Sequence, residues 1–316
     1  MNRIRKTIGE IVGKVTVPLQ KKKLQNDFLK DPKETVRNGK GLEIQIETTN
    51  YCNAHCSFCP NSTLKRPRQI MEMETFTTIL DKLTEERIPV QRFALHINGE
   101  PLSDPHIVER VKLCKERFPG AEVRFTSNFS LANDKIMTDL LEAGLGCITI
   151  SLNTLDSDEY YKTMGLRYEK TYKNVEDFLS LKRKLNSKIK VIISLVTENP
   201  DDPDIAGFKK KYKGDAEVRV MKLGAWVDEE PPEKIEISKG DIKRQGTCGI
   251  LYHTLNFLSN GDYALCCFDA EGVVHKNIRD GKILDIWTSG IFDRLRRYHA
   301  EHGRTNRECY NCSFNE

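Results

Sequence analysis

From residue 42 onward, apolar runs suited to strands alternate with stripes at helical spacing. The strand-like runs are Leu42–Thr48, Arg92–Ile97, Glu122–Thr126, Cys147–Leu152, Ile189–Val196 and Glu217–Leu223. Between them the spacing predicts helices over Phe76–Leu83, along Ile107, Val111, Cys114 and Phe118, and over Lys135–Ala143, Val175–Leu185 and Ile205–Tyr212. Strand–helix units in unbroken succession predict an α/β fold: a parallel sheet with helices outside, able to close into a partial barrel. The rhythm stops after residue 224. Residues 226–246 hold Asp228-Glu229-Glu230-Pro231-Pro232, a linker signal. A hairpin is expected next, Thr254–Leu258 and Tyr263–Cys267 around Ser259-Asn260-Gly261-Asp262, because Asn-Gly between apolar runs favours a tight reversal. A helix over Ile283–His299 and the pair Cys309/Cys312 complete the pattern. Ahead of the first strand, Ile4, Ile8, Ile11 and Val15 recur at helical spacing before Lys21-Lys22-Lys23. This basic leader, residues 1–40, is expected to pack on the domain surface, with membrane-surface or partner contact as the alternative. The expected division is therefore a core at 41–225, a linker at 226–246 and a small domain at 247–316.

Length and charge narrow the classes. A chain of 316 residues is long enough for one large and one small domain, and a net charge of +4 is too small to argue for nucleic acid. No apolar run is long enough to cross a membrane and no signal-peptide core is visible, so a cytoplasmic location is expected. Ten cysteines then stand out. In a chain without an export signal, cysteines clustered at short spacings read as metal ligands rather than disulfides. Cys52, Cys56, Cys59, Cys266, Cys267, Cys309 and Cys312 fall in such places, and Cys248 can join from further off. Cys114 lies on an apolar helix stripe and Cys147 opens a strand, so both are expected in the core.

The segment Thr49-Asn50-Tyr51-Cys52-Asn53-Ala54-His55-Cys56-Ser57-Phe58-Cys59-Pro60 directly follows the first strand. Three thiolates so close can wrap one face of an iron–sulfur cluster, whose iron prefers soft ligands. With no fourth cysteine nearby, one iron stays open for a small molecule, whereas structural zinc wants a closed set of four. His55, between two ligands, is read as loop filler rather than a fourth ligand.

The order Cys-x3-Cys-x2-Cys, with Phe58 before the last cysteine and a βα position after the first strand, resembles the signature of the radical S-adenosylmethionine (SAM) superfamily. The resemblance covers residues 42–225. It implies a partial (β/α)6 TIM-like barrel and a [4Fe–4S] cluster on Cys52, Cys56 and Cys59. The open iron of that cluster would bind SAM, whose reductive cleavage gives a 5′-deoxyadenosyl radical. It also implies an electron donor of the flavodoxin or ferredoxin type. Asn98-Gly99-Glu100-Pro101 is similar to the family's Gly-Gly-Glu motif. Glu100 would then receive the SAM ammonium group, and Gly99 would let the backbone approach; a plain strand-ending turn is the alternative. Ser127 and Asn128 end the third strand, and Ser151 and Asn153 the fourth, where the family meets the ribose and methionine. Arg167 resembles an arginine used for the SAM carboxylate, with an exposed ion-pairing role equally open. The backbone around Val196 is placed near adenine.

Cys248, Cys266, Cys309 and Cys312 make a second set, and a small domain with few apolar residues often needs such a staple. Cys, then Gly-x4-Cys, then Cys-x2-Cys resembles the twitch domain, the short form of the SPASM auxiliary-cluster domain. One extra [4Fe–4S] cluster is implied, with zinc on the same cysteines as the alternative. Cys267, the leftover neighbour, can replace Cys266, pack inertly, or donate a hydrogen atom as a catalytic residue.

Two reactions stay open. In one, the radical takes a hydrogen atom from a carbon bearing a hydroxyl, and the resulting substrate radical loses a proton and passes one electron to the auxiliary cluster, turning alcohol into ketone. In the other, a thiol such as Cys267 quenches the substrate radical from the opposite face and gives an epimer. Related twitch enzymes act on sugars or aminocyclitols, so a small polar substrate is expected. Peptide maturation is less favoured, because the residues before the first strand are too few for a leader-binding domain. An iron–sulfur scaffold or sensor is the non-enzyme reading. His96, His253 and His275 are candidate bases by residue type alone.

Overall fold

A computed structural model describes residues 25–197, 199, 201–221, 247–304, 306 and 309. The stripe Ile4–Val15, the linker 226–246 and Cys312 lie outside the described residues. Helical residues 25–30 lead into α1 (Pro32–Arg37), started by Pro32 and capped by Asp31, which accepts from Glu34 N. Six parallel strands follow: β1 (Leu42–Ile46), β2 (Val90–Ala94), β3 (Glu122–Ser127), β4 (Cys147–Ser151), β5 (Lys190–Val196) and β6 (Glu217–Met221). The helices between them are α2 (Met73–Glu85), α3 (Ile107–Arg117), α4 (Asp134–Glu142), α5 (Ser157–Met164), α6 (Tyr168–Lys184) and α7 (Pro203–Lys211). The sheet is open, in the order β6-β5-β4-β3-β2-β1-β7-β8, so the barrel is partial, as expected.

The sequence explains these elements. Ile44 and Ile46 on β1, and Val123 and Phe125 on β3, are buried against the helices, while Glu43, Gln45, Arg124 and Thr126 alternate onto the lumen face. Asn133 and Asp156 cap α4 and α5 by accepting from Ile136 N and Glu159 N. Cys114 and Cys147 are core residues, 0% and 3% exposed.

Three expectations need correction. The helix α5 has no counterpart among the expected helices: its Ser-Asp-Glu-Tyr-Tyr pattern is polar on most faces, and only Tyr160 and Met164 are buried. The helix expected over Ile283–His299 is two, α9 (Ile283–Trp287) and α10 (Gly290–His302), because Ser289 turns extended and Gly290 takes φ +56. The helix before α9, α8 (Ile250–His253), runs straight into β7 (Thr254–Phe257), which forms the expected hairpin with β8 (Tyr263–Ala264). The strands of that hairpin are shorter than expected, and β7 also pairs in parallel with β1, Gln45 opposite Asn256. The C-terminal segment thus extends the main sheet, and all four β7 residues are buried.

The C-terminal helices are held by Arg296, which is 1% exposed. Its Nε donates to Leu251 O at 2.8 Å, and its guanidinium lies 4.6 Å from the rings of Phe28 and Trp287. Among the described residues no helix is long and apolar enough to cross a membrane.

Candidate active site

The loop after β1 is closed by its own return strand. Thr49 bridges Ile70, Asn50 N donates to Gln69 O at 3.1 Å, and Asn50 Oδ1 accepts from Gln69 N at 2.7 Å. Cys52, Cys56 and Cys59 therefore rise from a fixed base, each half-buried. Two residues absent from the sequence reading support it. Asn61 donates to Asn50 O at 3.0 Å and also to Asn98 O. Arg68 donates to Asn50 O at 2.7 Å and to Asn61 Oδ1 at 2.9 Å. The helix α5 buttresses the other side: His55 N and Ser57 N donate to Met164 O and Thr163 O, at 2.9 and 3.1 Å. Gly165, in the left-handed region at φ +67, ends α5 with His55 Cβ close by. His55 itself is exposed, which suits a loop role.

The thiols suit an iron–sulfur cluster. Burial pushes Cys56 up to about 12, and the charges of Cys59 and Cys52 push the same way. Burial likewise raises Cys52 to about 11. Burial raises Cys59 as well, and three thiols held protonated in this way form a site that a bound metal relieves, because a metal deprotonates its thiols outright. Among the described residues no three Cys, His, Asp or Glu side chains converge on a single ion. A cluster does not need them to, since each thiolate takes its own iron.

Asn98, Gly99 and Glu100 lie across from this loop. Gly99 has no room for a side chain: a Cβ there would sit 2.0 Å from Thr49 O. The missing side chain is thus required by the cluster loop itself. Asn98 Nδ2 donates to Glu47 Oε1 at 3.2 Å, while its buried Oδ1 finds no partner. Glu100 is 2% exposed. Its Oε1 accepts from Ser127 Oγ at 2.7 Å and Leu102 N at 3.0 Å, and its Oε2 accepts from Asn128 N at 2.7 Å. Burial raises the pKa of this carboxyl, against those three hydrogen bonds. Glu100 therefore ties the tops of β2 and β3 together and keeps one lone pair of Oε2 uncommitted. Glu100→Gln is expected to lower the melting temperature and weaken SAM binding together. An amide cannot accept at both ends, and an unmade buried hydrogen bond costs about 1–3 kcal/mol. Calorimetry checks both; unchanged melting and unchanged SAM affinity would show that the charge is dispensable.

Of the remaining predicted contacts, Asn128, Ser151, Asn153 and Val196 lie at the strand ends, whereas Phe58 and Arg167 do not. Asn128 Nδ2 donates to Asn53 Oδ1 at 3.0 Å and lies 4.0 Å from Cys52 Sγ. Asn153, at φ +66, accepts from Val196 N at 3.1 Å and joins the ends of β4 and β5. Ser151 Oγ lies 3.4 Å from Ser194 Oγ and remains half-accessible. Phe58 is half-buried within the loop. Arg167 is exposed at the start of α6.

Below these ends the lumen is polar. Glu43, Gln45, His96, Arg124, Thr126 and Ser151 are each only partly covered. Arg124 and Arg92 pair with Glu43 at 2.7 and 3.0 Å. Burial holds the pKa of His96 down at about 4, helped by Arg124, so the ring is neutral at physiological pH. Its Nδ1 has no partner, and neither do Gln45 Oε1 and both amide atoms of Asn256. Of the three candidate histidines, His96 alone lies in the lumen; His253 and His275 are exposed.

The second cysteine set is partly described. Burial, and after it the charge of the neighbouring Cys267, raise Cys266 well above the ordinary thiol range. Cys248 is buried just ahead of α8. Asp269, which sequence reasoning missed, shapes the loop after Cys266. It is 0% exposed and accepts from Leu265 N at 2.7 Å and Gly272 N at 2.8 Å.

Comparison with known proteins identifies the family. The chain is 26% identical over 196 residues to GTP 3′,8-cyclase of Chlorobaculum tepidum, covering 61% of this chain and 57% of that one. It is 29% identical over 104 residues to the S-adenosyl-L-methionine-dependent 2-deoxy-scyllo-inosamine dehydrogenase of Niallia circulans, covering 32% and 41%. The chain thus spans 57% or less of the length of these curated relatives. Its fold is similar to that of BtrN in complex with AdoMet and 2-DOIA, with a TM-score of 0.57, 19% identity, and 87% and 93% of the two chains covered. Residues 248–313 match the iron–sulfur cluster-binding domain called SPASM, and residues 46–208 match the radical SAM model. The chain therefore belongs to the radical SAM superfamily, with S-adenosylmethionine and [4Fe–4S] clusters as its cofactors.

Proposed function

We propose that this enzyme removes hydrogen from a hydroxyl-bearing carbon of a small polar substrate, sugar-like or cyclitol-like, and oxidises the alcohol to a ketone. The observation that carries this reading is the polar lumen. His96, Gln45, Arg124 and Ser151 line it, and the buried Nδ1 of His96 and Oε1 of Gln45 have no protein partner, so an apolar substrate would leave them unpaired. Likeness to a 2-deoxy-scyllo-inosamine dehydrogenase supports the same class. When bound at Cys52, Cys56 and Cys59, the reduced cluster and SAM supply the 5′-deoxyadenosyl radical that takes the hydrogen atom. The residues at the strand tops hold the geometry. Glu100 offers its uncommitted lone pair towards the SAM ammonium, with Asn98 and Gly99 beside it. Phe58, Ser127, Asn128, Ser151, Asn153, Arg167 and the Val196 backbone surround the rest of SAM. Neutral His96 accepts or donates a hydrogen bond to a substrate hydroxyl without adding charge. Cys248, Cys266, Cys309 and Cys312 would hold the auxiliary cluster in a module over 247–316, which would accept the second electron as the substrate radical loses its hydroxyl proton. We place the enzyme in the cytoplasm, served by a flavodoxin- or ferredoxin-type donor.

Epimerisation through Cys267 is the second reading, favoured by the nearness of that thiol to Cys266. Turnover in D2O separates the two. Oxidation gives a product two mass units lighter than the substrate with no solvent deuterium at the reacting carbon. A deuterated epimer without ketone, lost in Cys267→Ala while SAM cleavage continues, would overturn oxidation. 2-Deoxy-scyllo-inosamine is the first substrate to offer, with mass spectrometry as the readout.

A further inference from the structure

The loop that follows Cys59 is fastened to the loop that follows Cys266. Arg66 forms a two-pronged pair with Glu47, Nη1 to Oε2 at 2.7 Å and Nη2 to Oε1 at 2.6 Å. The Glu47 side chain is 0% exposed and that of Arg66 is 10% exposed. The same guanidinium donates from Nε to Ala270 O at 2.5 Å. The carboxylate of Glu271 accepts from Lys65 N at 2.8 Å and Arg66 N at 3.2 Å. Glu47 Oε2 also accepts from Ser259 N at 3.0 Å, at the hairpin turn. Ala270 and Glu271 adjoin Asp269, whose N–H donates to Cys266 O at 3.1 Å. On the other side, Arg68 follows Arg66 closely and grips Asn61 and Asn50 beneath the first cysteines.

A buried charge pair is a poor source of net stability but a good source of fixed geometry, since a fork-to-fork contact allows one orientation. We infer that Arg66, with Glu47 and Glu271, is a strap that sets the position of the Cys266 loop relative to the Cys52–Cys59 loop. Its purpose is to hold the two cysteine sites, and the iron–sulfur centres they would carry, at one separation. These are positioning residues: they touch neither substrate nor reacting atoms. The inference rests on the assignment of Cys266 as an auxiliary-cluster ligand.

The test uses the holoenzyme with both clusters reduced by dithionite, and pulsed EPR to measure the distance between them. Glu271→Ala removes only the cap on two amides at a partly exposed site, so the fold is kept. Arg66→Lys keeps the charge against Glu47 but loses the fork and the Ala270 contact. Wild type is expected to give one narrow distance. Both variants are expected to broaden or shift it while retaining about eight irons, the content of two [4Fe–4S] clusters. A narrow distance unchanged in both variants would overturn the strap. A wild type with about four irons and a single cluster signal would instead overturn the auxiliary-ligand assignment, leaving the strap nothing to position.

Discussion

Gly99→Ala is expected to strip the first cluster from the protein while most of the fold survives. The new Cβ would stand 2.0 Å from Thr49 O, 2.7 Å from Thr49 C and 3.0 Å from Asn50 Cα. These are backbone atoms and cannot rotate aside. Overpacking a well-filled site costs about 1–3 kcal/mol, and a backbone collision belongs at the upper end or beyond. The displaced stretch leads straight into Cys52, and Glu100 N donates to Tyr51 O at 2.8 Å from the next position. The expected result is loss of roughly half the iron, since one of two clusters is affected, with a melting temperature lower by about 5 °C or more. Iron assay and circular dichroism check it. Full iron with unchanged melting would mean that the two segments do not approach as closely as described.

Asp104→Ala is expected to destabilise the protein more than any surface change. Asp104 and Arg110 have side chains 0% exposed, with Arg110 Nε donating to Asp104 Oδ2 at 2.7 Å. Asp104 Oδ1 also accepts from His106 N at 2.9 Å and so shapes the start of α3. Arg110 reaches Met71 O, and its guanidinium lies 4.9 Å from the Phe76 ring. The pair thus locks the turn after Glu100 to α2. Removing one partner strands a buried cation, which costs about 3–5 kcal/mol. The double change Asp104→Leu with Arg110→Met removes both charges and is expected to recover most of the loss. Urea titration of the three proteins decides: equal stability of wild type and Asp104→Ala would refute the account of this pair.

The sequence carried the barrel because each strand has its own alternation and each helix its own stripe. Ile44 and Ile46 against Glu43 and Gln45 can be read without knowing any neighbour. The first cysteines were legible for the same reason: their chemistry is local. Long-range facts were not. That β7 lies beside β1 follows from the need to satisfy that edge of β1, and no local signal in Thr254–Phe257 names its partner. The role of Glu100 as a tie between strand tops depends on Ser127 and Asn128 arriving from another strand. Glu47 and Arg66 carried a faint signal, a charge in line with the lumen residues of the first strand and a basic run after the cysteines. Their meeting with Ala270 and Glu271 is a property of the folded chain alone.

The most direct test of the whole account is the formation of 5′-deoxyadenosine. Anaerobically reconstituted protein is mixed with SAM and dithionite, with and without 2-deoxy-scyllo-inosamine, and the nucleoside is measured by liquid chromatography. Wild type is expected to form it. The variant with Cys52, Cys56 and Cys59 all changed to alanine is expected to form none, while keeping about half its iron in the auxiliary site. Production of 5′-deoxyadenosine by the triple variant, or its absence from wild type under every condition, would contradict the account.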